Sequence, residues 1–134
     1  NGTENIPLSL SANLIFYGAD ASKIVDDPTS EDFNTQNGIQ YSNYFELGYT
    51  KDVEKLTFDA FIGFTLSNPR KANIVNGYSG ELGFYGNGPG VIHTGITVSR
   101  DIPITEKFSL PLTTSVITNP QAEKVFLLVC FFVF

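Results

Sequence analysis

The chain has 134 residues and a mass of 14.7 kDa, with 14 acidic against 8 basic side chains, a net charge of -6 and a pI near 4.5. That length suits one domain, and the acidic balance argues against nucleic acid or anionic headgroups as the principal partner, since both demand a basic footprint. Charged residues make up 16% of the chain, against roughly 25% in an ordinary soluble domain, yet a mean hydropathy of +0.02 is far too low for a bundle of membrane helices. Met is absent throughout, position 1 included, so a mature form or a fragment is expected. The N-terminus carries no signal-peptide pattern.

Along the chain the hydrophobic period is two. In 8–17 the even positions Leu8, Leu10, Ala12, Leu14 and Phe16 are apolar, while Ser9, Ser11 and Asn13 between them are polar. This is the pattern of a half-buried strand. Residues 19–39 read as a long acidic loop with Pro28 and Asn37-Gly38. Alternation resumes over 41–50, a polar turn follows at 51–55, and the clearest strand is 56–66, with Leu56, Phe58, Ala60, Ile62, Phe64 and Leu66 on one face. A second long loop, 67–90, is rich in Gly, Asn, Ser and Pro. Strand character returns over 91–99, then after a connection at 101–107 in a strand marked by Phe108, Leu110, Leu112 and Val116, where Pro111 hints at an edge or bulge. A tight turn at 119–124 leads into the one continuous apolar run, 125–134. Ten apolar residues are too few for a membrane helix and enough for a tilted membrane strand of about 9–11 residues.

The expected fold is all-β: an antiparallel up-and-down meander of about six strands. Short connections join antiparallel neighbours, so both long loops fall at one end of the meander. Outer-membrane barrels show that asymmetry. Such barrels begin at about eight strands, which at roughly 22 residues per strand needs about 180 residues. Six strands would leave open edges that lipid does not tolerate. The expectation is therefore that residues 1–134 are part of one transmembrane β-barrel domain lacking its N-terminal strands, or that the sheet closes against another copy.

Five segments, in order, carry a family resemblance: Tyr44-Phe-Glu-Leu-Gly-Tyr49, Phe61-Ile-Gly-Phe64, Gly95-Ile-Thr-Val-Ser-Arg100, Ile104-Thr-Glu-Lys-Phe-Ser-Leu-Pro111 and Asn119-Pro-Gln-Ala-Glu-Lys-Val-Phe126. Together they resemble the C-terminal half of TorF-type porins, a form associated with Bacteroidetes. The resemblance implies a bacterial outer-membrane location and passive diffusion of small solutes or a structural barrel. It also implies surrounding outer-membrane lipid and insertion by the outer-membrane assembly machinery. The terminal Phe134, with Phe132, Leu128 and Phe126 on its face, is similar to the signal read by that machinery. The last strand departs from the family in having neither Gly nor Ser near its end.

No catalytic constellation is present: no Gly-x-Ser-x-Gly elbow, no P-loop and no Cys-x-x-Cys. No enzyme activity, cofactor or metal site is expected. Cys130 reads as a small buried hydrophobe, and the Gly86-Asn-Gly-Pro-Gly90 cluster as a surface turn. The candidate lumen wall is the polar face: Glu46, Thr57, Asp59, His93, Thr97 and Ser99. Parity across the 41–50/56–66 hairpin sets Glu46 opposite Asp59 or Phe61. Two carboxylates on one wall would favour cations, and a glycosidase would also need such neighbours; they are equally readable as hydrated or paired side chains. His93 reads as a solvated wall residue or a pH-sensitive gate. The acidic 20–32 loop reads as solvated, or as a site for divalent or lipopolysaccharide-bridging ions. Tyr17, Tyr41, Tyr44, Tyr49 and Phe108 stand where aromatic girdles would lie. The second face of the last strand, Val125, Leu127, Val129, Phe131 and Val133, makes that part of the wall dry. The rival expectation is a soluble β-sandwich ligand- or carbohydrate-binding module with the last strand buried on both sides.

Overall fold

The computed structural model describes residues 7–106 and 108–131. Phe132 and Phe134, the candidate assembly signal, lie outside the described residues. The described residues form eight strands and no helix: β1 Leu8–Leu14, β2 Ser22–Ile24, β3 Gln36–Ile39, β4 Asn43–Val53, β5 Leu56–Thr65, β6 Gly90–Thr105, β7 Phe108–Asn119 and β8 Lys124–Phe131. Six of them make one antiparallel sheet in the order β1-β4-β5-β6-β7-β8, while β2 and β3 pair separately. The expected meander is thus present from β4 to β8.

The turns show how the register is set. Glu54 and Lys55 alone connect β4 to β5, with Glu54 at a φ of 54°. This two-residue hairpin is tighter than the five-residue turn expected at 51–55 and moves the pairing of the two strands. At the β7–β8 turn the backbone carbonyl and side-chain oxygen of Asn119 both accept the Ala122 N–H, at 3.3 and 3.0 Å. The turn then closes through Glu123 at a φ of 52°, so Asn119 supplies its own turn geometry. β6 runs past the expected end at Ser99 to Thr105, paired in regular register with β7 as far as Pro103 opposite Ser109 and irregular only between Pro103 and Thr105. Pro111 stands opposite Asp101, one residue beyond the last described β7–β8 pair, Leu112 with Phe131.

The described residues form two compact units: 7–11 with 46–63, 93–106 and 108–131, and 12–45 with 64–92. In the first, the two faces of the strands are shielded in the opposite sense from an ordinary soluble sheet. Gly63, Gly95 and Ser115, on the polar face, are buried. On the apolar face Leu10 is 75%, Ile96 58%, Val116 46% and Leu47 42% exposed.

The β7–β8 register corrects one expectation. Cys130, Leu128 and Phe126 stand opposite Thr113, Ser115 and Ile117, and directly opposed residues share a face. The even-numbered residues of β8 therefore join the polar face, and Val125, Leu127 and Val129 join the apolar one. A strand apolar on both sides contains no internal signal of which side is which; the turn decides it.

The second unit corrects another. The segment expected to be a structureless loop over 19–39 contains the β2–β3 pair, with Ser22 opposite Ile39 and Ile24 opposite Gln36. Asn34 ties this segment to the other long loop, donating to the Gly77 carbonyl at 2.9 Å and accepting from the Ser79 N–H at 2.9 Å. Tyr78 is buried, rests against Phe33 and donates to the Ile24 carbonyl. Where β5 ends, Thr65 donates to the Asn43 carbonyl at 2.6 Å, while the Asn43 side chain accepts from the Leu66 N–H at 2.8 Å.

Candidate functional site

The polar face of the first unit is built by cross-strand pairs of hydroxyls and carboxylates. Strand alternation brings Thr97 opposite Ser115 and Ser99 opposite Thr113, and their hydroxyls meet at 2.8 and 3.3 Å. Across the β4–β5 hairpin Thr50 donates to an Asp59 carboxylate oxygen, and Thr57 donates to an Asp52 oxygen, both at 2.6 Å. Each acid is thereby held on the face by a hydroxyl donor.

Glu46 and Asp59 do not stand opposite one another, nor one pair apart. The partner of Asp59 on β4 is Thr50, four residues beyond Glu46, or roughly 13 Å at the rise of a strand. The two-residue turn is the reason. Asp52 is the acid that the hairpin brings diagonally beside Asp59, and sequence reading passed over it because it was assigned to the turn.

His93 packs edge-on against Phe61, with ring centroids 4.8 Å apart at 61°. Phe61, the one large apolar residue on its face of β5, lies over Gly95. A Cβ on Gly95 would sit 2.7 and 2.9 Å from two Phe61 ring carbons and 2.9 Å from the Val116 carbonyl oxygen. Glycine is required there because the ring occupies the side-chain space. Only the pairing of Phe61 with Gly95 reveals this; neither residue signals it alone.

A cleft of about 410 Å³ opens near the short-turn end of these strands. Lys55, Thr57, Ser99, Arg100, Asp101 and Ser109 line it. It gathers two of the expected wall residues, Thr57 and Ser99, and leaves Thr97 and His93 farther along β6. Among the described residues no three His, Cys, Asp or Glu side chains converge where they could hold a metal ion. The hydroxyl and carboxylate pairs supply hydrogen-bonding and charged surface but no nucleophile with a base and orienting partner.

Three acids of the 20–32 loop, Asp20, Asp26 and Asp27, have hydrogen-bond or ion-pair partners. Asp20 accepts from the Ala21 N–H at 2.7 Å and from the Ser42 N–H at 3.0 Å. Burial alone would raise its carboxyl, but the Ser42 hydroxyl and the N–H groups of Ser42, Ala21 and Tyr41 favour the anion more, so it titrates below 3.8. The Ser42 side chain beside it is fully buried. The Thr29 hydroxyl and N–H hold Asp27 below the same value, and Asp26 pairs with Arg70. Burial pushes the Tyr78 phenol above 10, with the charge of Glu81 adding to the rise and Arg70 opposing it.

Of the expected girdle aromatics, Tyr17, Tyr41, Tyr49 and Phe108 are exposed, while Tyr44 packs on Tyr85 with centroids 5.5 Å apart. Comparison with known proteins finds no matching family model, no curated relative and no similar solved structure.

Proposed function

We propose that this chain forms part of a bacterial outer-membrane β-barrel that gives passive diffusion to small solutes or serves as a structural barrel, without enzymatic activity. One observation carries the reading: in the first unit the hydroxyl and glycine face is the shielded one, and the aliphatic face is the open one. Water would drive the opposite arrangement, because each aliphatic side chain left exposed forgoes about 1.5–3 kcal/mol of burial. Lipid removes that cost. A barrel wall alternates apolar residues outward and polar residues inward in this manner. Thr57, Asp59, Thr97 and Ser99, with Glu46 and His93, would then line the interior, and outer-membrane lipid would cover Leu47, Ile62, Ile96 and Val116. Insertion would use the outer-membrane assembly machinery, with Phe132 and Phe134 as its signal.

A second reading is favoured by β8. Phe126 and Leu128 lie on the polar face and are more than half exposed, as in a sheet awaiting a second layer. That reading is a soluble β-sandwich ligand- or carbohydrate-binding module. Detergent separates the two. A barrel remains dispersed only in detergent or lipid and migrates differently on gels before and after heating; a monomer stable in detergent-free buffer overturns the membrane reading.

A further inference from the structure

We propose that the cleft between the two long loops of the second unit is a binding site for a neutral saccharide. The cleft has a volume of about 370 Å³, with Lys23, Asp26, Asn37, Asn68, Arg70 and Glu81 among its lining residues. That is at the small end of ligand pockets, which run from about 300 to 1,000 Å³, and it suits the end of a short glycan.

The walls are fixed before any ligand arrives. One carboxylate, Glu81, accepts from the Ile24 N–H at 3.1 Å on the first loop and from the Arg70 N–H at 2.8 Å on the second. The Arg70 guanidinium pairs with Asp26 across the same gap. Asn34 and the buried Tyr78 add the further ties between these loops described above. Binding therefore needs little ordering of the loops, which lowers one of its costs.

The charges lining the cleft balance. Two cations, Lys23 and Arg70, face two anions, Asp26 and Glu81. Each oxygen of Glu81 accepts one backbone N–H, Asp26 and Arg70 pair with each other, and the Lys23 ammonium stands 5.9 Å over the Tyr41 ring. With two charges of each sign the lining has no net charge, so it favours neither an anionic nor a cationic ligand over a neutral one. What remains are the carboxamides of Asn37 and Asn68, neither with a hydrogen-bond partner among the described residues, and the unused N–H groups of Arg70. Each carboxamide offers two donors and one acceptor carbonyl in a plane, and the guanidinium adds donors in a fixed fork. Adjacent hydroxyl groups, which donate and accept at once, match that set. The site lies within one unit and stands whether or not the sheet is in a membrane.

The test uses the whole chain in whatever medium keeps it folded, first on an array of neutral and anionic glycans. The best neutral glycan is then titrated calorimetrically. Saturable binding of neutral glycans is expected, weakened at least about ten-fold by Asn37→Ala and by Asn68→Ala, and unchanged by Asn13→Ala in β1. In wild-type protein the same glycan should shift the side-chain amide resonances of Asn37 and Asn68, a readout that needs no variant to fold. Failure of every glycan to bind, binding of anionic glycans alone, or unmoved amide resonances would each overturn the assignment. The detergent requirement, read separately, decides the barrel.

Discussion

Ile96 and Ile104 test the membrane reading by depth. Ile96 lies on the apolar face of β6 and Ile104 at the irregularity after Pro103, and both are more than half exposed, at 58% and 56%. In water a Lys at either place changes stability by no more than about 0.5 kcal/mol, the usual range for exposed positions away from special features. In lipid the two sites separate. Ile96 is near the middle of the 90–105 strand, and Ile104 is eight residues farther on. At about 3.3 Å per residue that is roughly 26 Å along the strand, or about 20 Å of depth at a tilt of about 40°. The apolar band of a barrel is only about 25 Å tall, so Ile104 lies beyond its rim when Ile96 is central. Ile96→Lys should then cost about 2–4 kcal/mol and Ile104→Lys about 0–1. The first figure is roughly a 30- to 700-fold loss in folding equilibrium. Urea unfolding of the protein in phospholipid vesicles, followed by circular dichroism, measures both. Equal costs at the two positions, or a cost at Ile96 below about 0.5 kcal/mol, would refute the reasoning.

Three further outcomes are expected. Thr113→Cys should form a disulfide with Cys130 on mild oxidation, because the two residues are directly opposed and such Cα atoms lie about 4.5–5.5 Å apart, within disulfide range. Thr114→Cys, opposite Val129 on the other face, should not, and a cross-link from position 114 on a non-reducing gel would overturn the assigned faces of β8. Glu46→Gln with Asp59→Asn should lower cation preference in single-channel recordings about five-fold, the equivalent of about 1 kcal/mol for a unit charge near the ion path; unchanged reversal potentials would remove these acids from a pore. Asp20 has a folded pKa below its ordinary 3.8, so its stabilisation is present above that value and is lost as pH falls through the folded one. Acid unfolding followed by circular dichroism should show a shallower loss below about pH 3.8 in Asp20→Asn than in the parent, and parallel curves would contradict the assigned hydrogen bonds.

How far the sequence could be read depended on whether a residue pattern or a pairing held the information. Period-two alternation located β1 and β4 to β7, because Leu8 to Leu14 or Leu56 to Phe64 cannot alternate without committing each side chain to a face. The hydroxyl face followed from the same alternation, and Thr57, Thr97 and Ser99 are on it. Pairing was less legible. Glu54 and Lys55 make a two-residue turn that no local glycine announces, and this one choice separates Glu46 from Asp59 and brings in Asp52. β2 and β3 are three and four residues long, too short for periodicity, and they are held by contacts from residues such as Asn34. Phe61 over Gly95 is a property of two strands and of neither one.

The position of β1 in the sheet bears on how the chain folds in time. β4 to β8 can pair in succession, each strand meeting the one before it across a connection, and short connections at Glu54-Lys55 and 120–123 make those encounters fast. β1 must instead wait for β4 across residues 15–42, and loop closure grows slower and less favourable with length. The pairing of Ser22 with Ile39 pinches that excursion near its base, so β2 and β3 act as a clasp that shortens the effective search. Loosening the clasp should leave β5 to β8 zipping at their normal rate. It should delay the amide protection of Thr50, whose N–H is donated to the Pro7 carbonyl only once the first strand has arrived.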